Sequence, residues 1–343
     1  MAYSANGLFE MAEKKRGLSR FLDAIPLYLK AMRLAKKDRG LKRECLFSLG
    51  DTYRMVGEFA KAGRCYTQAY RHALGEDDAR GALDALVGLG LSLRASGEHK
   101  KALSIFDGCL RGFRMSKDRA GTAFTLWARS GALRLKGDIE GAIKGFKEAK
   151  RIFSLLRDRS GVGYCLTGLG GAYRVLGSPT DSHRCYSEAN RIFRAVKDTF
   201  GTAYSYCGIA NSLRMRGDYK GSLEYFRKAK QRYRRIGDRV SYAYTLWGEG
   251  SSLQMLGRHA VAMAGFEEAK RLFKQTGDKR GLVYCLLSEG QSVFINDRKK
   301  GLRMIKDALE ISSGLALKVE KRYAKEVLSA IKKGPGALPL CLA

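Results

Sequence analysis

The sequence predicts an all-α, right-handed superhelical solenoid of about eight tandem helix–turn–helix units, closed by a C-terminal helix. Three observations predict it. Gly81, Gly121, Gly161, Gly201 and Gly281 recur at multiples of 40 residues, with Ser241 in the remaining place. A second glycine recurs at position 17 of each unit: Gly57, Gly97, Gly137, Gly177, Gly217 and Gly257. An Asp recurs at position 38: Asp118, Asp158, Asp198, Asp238 and Asp278. A fixed period of this length is the signature of a repeat architecture.

Apolar residues with helical spacing flank each position-17 glycine, so every unit reads as two helices around a turn. Glycine there can take the left-handed conformation that ends a helix. Asp at position 38 suits the N-cap of the following helix. One pair cannot bury its own apolar face, and stacking neighbours supplies a continuous core. Gly40 lies 41 residues before Gly81, so the first full unit carries one inserted residue.

The units run as follows. Residues 1–39 form a degenerate first unit, with Ala24, Tyr28 and Ala31 at second-helix positions. Residues 40–315 hold seven units, the last one residue short near Asp297. Residues 316–333 read as a polar closing helix, the cap that terminal repeats require. The tail 334–343, with Gly334, Pro335, Gly336 and Pro339, is expected to be disordered.

The units resemble the tetratricopeptide repeat family. The resemblance rests on Leu166, Gly170, Tyr173, Gly177, Tyr186 and Ala189, then on Tyr206, Ile209, Ala210, Leu213, Gly217, Phe226 and Ala229. Leu246, Gly250, Leu253, Gly257, Ala262, Phe266 and Ala269 repeat it. The usual repeat has about 34 residues and often ends in Pro. The longer unit here is similar to the repeats of kinesin light chains and spindle-orientation adaptor proteins. The resemblance implies that first helices line a concave groove and that the chain binds a partner.

Composition sets the electrostatics. Lys and Arg total 64 against 34 acids, a net charge of +30. That excess attracts polyanions: acidic protein segments, nucleic acid or anionic surfaces. No apolar run approaches a membrane span and no basic-then-apolar signal opens the chain, so a cytoplasmic protein without membrane insertion is expected. Cys45, Cys165 and Cys285 share one repeat position and Cys65 and Cys185 another. With no C-x-x-C pair and four His, they read as packing residues, and neither metal nor cofactor is expected. No Walker loop, H-E-x-x-H or G-x-S-x-G pattern is present, so a non-catalytic protein is expected.

In a solenoid, functional residues occupy positions that packing does not need. Positions 4, 7, 11 and 14 share one face of the first helix, beside the core face. Position 14 is Arg54, Arg94, Arg134, Arg174 and Arg214, then Gln254. Position 4 is Glu44 and Asp84, then Phe124, Tyr164, Tyr204, Tyr244 and Tyr284. Position 7 holds both tryptophans, Trp127 and Trp247. Position 11 is small or polar (Gly131, Gly171, Asn211, Ser251, Gln291) and reads as open space. Guanidinium binds carboxylates and phosphates in a forked geometry, and Tyr and Trp make binding anchors. Asn211 is placed to contact a ligand backbone.

These columns fit an extended, acidic peptide segment of a protein partner. They also fit plain packing, with each Arg paired to a neighbouring acid and each Tyr against the adjacent helix. Arg129, Glu249 and Glu289 at position 9 read as an ion-pair network or as groove lining. A second basic column, Arg71, Arg111, Arg151, Arg191 and Arg271, lies on the second helices, with Lys228, Lys230, Arg232, Arg234 and Arg235 nearby. It leaves an RNA- or single-stranded-DNA-binding solenoid as an alternative. A structural or regulatory subunit of a larger complex is another, and stacking of solenoid ends would allow self-association.

Overall fold

The computed structural model describes residues 3–35 and 38–339. Among them are eight helix pairs and a closing helix. The first four pairs are α1 (Ala5–Gly17) with α2 (Phe21–Leu34), α3 (Arg39–Met55) with α4 (Phe59–Leu74), α5 (Ala79–Ala95) with α6 (His99–Met115), and α7 (Arg119–Lys136) with α8 (Ile139–Leu155). Next come α9 (Arg159–Leu176) with α10 (Pro179–Ala195), α11 (Thr199–Met215) with α12 (Tyr219–Ile236), and α13 (Arg239–Met255) with α14 (His259–Thr276). The last pair is α15 (Lys279–Asn296) with α16 (Arg298–Gly314), and α17 (Lys318–Lys333) closes the stack. No helix among the described residues is long and apolar enough to cross a membrane.

The local signals act as the physics of helix ends requires. The position-38 Asp accepts a hydrogen bond from the third residue of the next helix, as from Gly121 N to Asp118 (2.8 Å) and Gly201 N to Asp198 (2.7 Å). Every position-17 glycine has positive φ, from +75° at Gly257 to +92° at Gly137. Position 37 is left-handed as well, and there the residue is often not glycine: Asp77, Lys117, Arg157 and Lys197 have φ between 53° and 58°. Asp297 both ends α15 and caps α16, which accounts for the residue missing from the last unit.

The glycine content follows from packing. The ring at position 26 of the second helices α4 to α14 is buried between two first helices. Around Tyr186, a Cβ on Gly170 would stand 2.8 Å from the ring, and one on Gly208 would overlap it. The position-1 glycine plays the same part for the position-33 ring, as Gly201 does for Phe193.

The coil is tight enough for its second turn to touch its first. Arg239 Nη2 donates to Glu58 Oε1 (2.7 Å) across 181 residues, about four and a half units of 40. Val240 packs on Gly57, Leu22 on Gly237 and Lys318 on Gly137. Phe21 and Val56 thereby join the core formed by Ile236, Tyr242 and their neighbours.

At the C-terminus, Pro335–Ala337 form a 3-10 turn and Leu338 is buried in that same core. The remainder of the tail, with Cys341, lies outside the described residues.

A candidate ligand cavity inside the coil

The first helices turn one face inward, and contact between the two turns encloses it. The concave groove thus narrows to an axial cavity that stays partly open to solvent. One chamber, of about 490 Å³, is lined by Arg54, Arg94, Arg134, Phe124, Trp127, Tyr164 and Tyr204, among others. The second, of about 250 Å³, is lined by Arg134, Arg174, Arg280, Tyr204, Asn211 and Tyr244, with Trp247 and Tyr284. The chambers meet at Arg134 and Tyr204. Glu44 and Asp84, the acidic residues at position 4, line a separate cleft near the N-terminus with Arg43 and Glu13.

The arginines follow a rule. Arg94 Nη1 donates to the Ala128 carbonyl oxygen of the next unit (3.1 Å), and its guanidinium lies 5.5 Å from the Trp127 ring centroid. It fills the place a side chain at Gly131 would take, and the Arg134 guanidinium lies in ordinary contact with the Cβ position of Gly171. At Gly131 and Gly171, position 11 is thus small because it receives the arginine of the preceding unit, which corrects the expectation of open space there.

Arg54 pairs with Asp51 (3.3 Å) and Arg280 with Glu320 (2.6 Å). Among the described residues, no carboxylate comes within 4.0 Å of Arg94, Arg134 or Arg174. The packing alternative that pairs each Arg with a neighbouring acid therefore fails for these three. Burial, and then repulsion from Arg54 and Arg134, brings Arg94 down to about 10. Burial likewise lowers Arg134, whose buried Nε has no hydrogen-bond partner.

Three predicted site residues belong to the wall instead. Arg214 is fully buried, donates to Asn211 Oδ1 (3.2 Å) and stacks 5.1 Å from the Trp247 centroid. It is not an anion contact, because the neighbouring unit encloses it. Asn211 Nδ2 donates to the Cys207 carbonyl oxygen (2.9 Å), so both ends of its amide are engaged within the protein. Trp247 is 3% exposed and donates to Ser288 Oγ (2.9 Å). Most of the phenols are likewise tied to acids: Tyr164 to Asp198 (2.8 Å), Tyr244 to Asp278 (3.3 Å) and Tyr284 to Glu320 (3.0 Å). Phe124, 42% exposed and stacked on Trp127 at 5.4 Å, and Tyr204, facing both chambers, remain as open aromatic surface.

At position 9, Arg129 pairs with Asp107 (2.6 Å), Glu249 with Lys230 and Glu289 with Lys270. These residues tie each first helix to the preceding second helix and do not line the axial cavity.

Residues 201–275 match the tetratricopeptide repeat family. These residues carry tetratricopeptide repeats. No curated protein sequence matches it. Its fold is similar to that of a Rap protein complexed with competence and sporulation factor (TM-score 0.61, 11% identity, 97% of this chain and 98% of that one). It is also similar to aspartyl phosphate phosphatase F from Bacillus subtilis (TM-score 0.58, 15% identity, 78% and 70%). A third similar structure is the Rap conjugation gene regulator of plasmid pLS20 in complex with a peptide (TM-score 0.56, 16% identity, 78% and 75%). At these identities the likeness is one of fold.

The inward face extends beyond positions 4, 7, 11 and 14. Position 40, just before the recurring glycine, also faces the cavity through Ser160, Phe200, Val240 and Arg280. A step of four back from position 4 reaches it, and that periodicity was the available signal. No group of His, Cys, Asp and Glu among the described residues is arranged to hold a metal ion.

Proposed function

We propose that the chain is a non-catalytic interaction scaffold that takes an acidic peptide segment of a protein partner into the axial cavity. The observation that most supports this reading is the set of Arg94, Arg134 and Arg174, which line the cavity without an acid in ion-pair reach. Cations held together out of water repel one another, and a carboxylate between them relieves that cost. Phe124 and Tyr204 offer surface for one or two apolar anchors beside the acidic residues. The larger chamber falls within the ordinary range for ligand sites, roughly 300–1,000 Å³. Two of the similar structures are described as complexes, one with competence and sporulation factor and one with a peptide.

Selection of a random peptide display library on the intact chain tests the proposal. Enrichment of Asp and Glu beside an apolar residue is expected, with binding lost in an Arg94→Ala/Arg134→Ala variant of unchanged helicity. Enrichment without acids, or equal binding by that variant, would overturn it.

A further inference from the structure

One unit departs from the others, and its departures fall together on the outer surface. At position 6 the units carry Leu46, Leu86, Leu126, Leu166, Leu246 and Leu286, but Tyr206 in this one. At position 25 the others have Cys65, Ile105, Gly145, Cys185 and Gly265, where this one has Tyr225. Position 32 is apolar in Ile152, Ile192 and Leu272, and is Arg232 here. The second helix of this unit, α12, carries seven basic residues and a single acid, Glu224.

The structure brings these departures into one patch. The Tyr206 and Tyr225 rings lie 5.8 Å apart and are half-buried. Arg232 stands 5.0 Å above Tyr206, and Lys228 4.9 Å above Tyr225. Arg227 and Arg235 are exposed on the same helix, and neither has an ion-pair partner among the described residues. Lys228 does have one, in Glu224. Tyr206 packs in part against the core, but elsewhere an apolar or small residue serves at these positions, His72 at position 32 apart, so core packing does not call for two rings and an arginine.

We infer that this face of α11 and α12 binds single-stranded nucleic acid. Guanidinium and ammonium groups at the rim meet phosphates, while the tyrosine rings and the Arg232 plane offer stacking surface to unpaired bases. A duplex keeps its bases stacked and would use only the charges. An acidic protein is the competing occupant, and competition by polyglutamate separates it from unpaired bases stacked on the rings.

The test is fluorescence anisotropy with labelled 15-mers of oligouridylate and oligothymidylate on the full chain. Affinity is expected to fall with salt by a log–log slope of about 0.7 per phosphate contact. Arg227→Glu/Arg232→Glu/Arg235→Glu should weaken binding at least about tenfold, and Tyr225→Ala by about fivefold or more. Lys299→Glu/Lys300→Glu/Arg303→Glu on α16 changes the net charge equally and should leave affinity within about threefold, because it lies outside the patch. Circular dichroism checks that each variant folds. If the triple variant fails that check, Arg227→Glu/Arg235→Glu, at two exposed positions, replaces it. Equal loss in the α16 variant, indifference to Tyr225→Ala, tighter binding of a duplex of the same length, or displacement by polyglutamate as effective as by oligouridylate would each overturn the assignment. Cavity variants such as Arg94→Ala leave this binding unchanged if the two sites are separate, which keeps failure of one proposal distinct from failure of the other.

Discussion

Arg94 occupies the space that a side chain at Gly131 of the next unit would fill, and its Nη1 reaches the Ala128 carbonyl oxygen there at 3.1 Å. Arg94 and Arg134 thus each enter the cavity wall of the following unit. Gly131→Ala should be tolerated, because the obstructing atom is the mobile end of a long side chain. Removing a mid-helix glycine adds up to about 1 kcal/mol of helix propensity. Gly208→Ala should behave oppositely: a Cβ there overlaps the buried Tyr186 ring, which has no room to move. A loss of about 1–3 kcal/mol is expected. Urea unfolding of the two variants checks this, and similar midpoints would refute it.

The residues at position 37 give a second expectation. Lys117, Arg157 and Lys197 hold left-handed backbone with φ between 56° and 58°, where Gly237 and Gly277 serve the same turn in later units. A left-handed conformation costs an L-residue about 1–2 kcal/mol, part of which glycine returns as unfolded-chain entropy. Lys117→Gly and Lys197→Gly should each stabilise by about 0.5–1 kcal/mol. Lower unfolding midpoints in both would show that their side chains hold the turn by other means.

How much of this was legible follows from the range of each interaction. Asp118, Asp198 and the position-17 glycines act within one helix end, so the sequence reveals them directly. The coil's pitch is the sum of small rotations over four and a half units, and nothing near Glu58 announces Arg239. Without that contact the inward face reads as an open groove, whereas Asn211 and Arg214 are engaged by their own helix and the neighbouring unit. Gly131 and Gly171 were visible as small residues, but what fills their space comes from the neighbouring unit. The position-37 turns are silent in the sequence because Lys117 and Arg157 carry no glycine signal.

Contact between turns yields a third expectation. Gly57 and Gly177 share a left-handed backbone, at +83° and +82°, so alanine costs both about the same strain. Of these two, only at Gly57 does a Cβ meet the second turn, 3.0 Å from Val240 Cγ2; around Gly177 the space is open. Gly57→Ala should therefore loosen the coil, raising the radius of gyration in small-angle scattering and weakening any ligand held in the axial cavity. Gly177→Ala should leave both unchanged. Identical scattering from the two variants would mean that the turns do not support one another.

The last expectation concerns acid. His99 opens α6 with 7% exposure, and both ring nitrogens are buried without a hydrogen-bond partner. Burial, then the charges of Arg280 and Arg94, brings it down from 6.5 to about 4. Between those values the unfolded chain binds a proton that the folded chain refuses. Stability is therefore full above pH 6.5 and is lost as pH falls towards 4, by a few kcal/mol at roughly 1.4 kcal/mol per unit. Asp238 opposes this. Burial raises its carboxyl from 3.8 to about 6, so the folded chain holds the extra proton and stability falls as pH rises through that interval. The two slopes partly cancel between pH 4 and 6 in the native chain. His99→Leu should remove the first, leaving a protein whose unfolding midpoint climbs as pH is lowered from 7 to 5. Asp238→Asn keeps a capping side chain and should instead steepen the acid loss. Urea melts of the three proteins from pH 4.5 to 8 separate the terms, and parallel profiles for native and His99→Leu protein would show that the imidazole is protonated as readily in the folded chain as in the unfolded one.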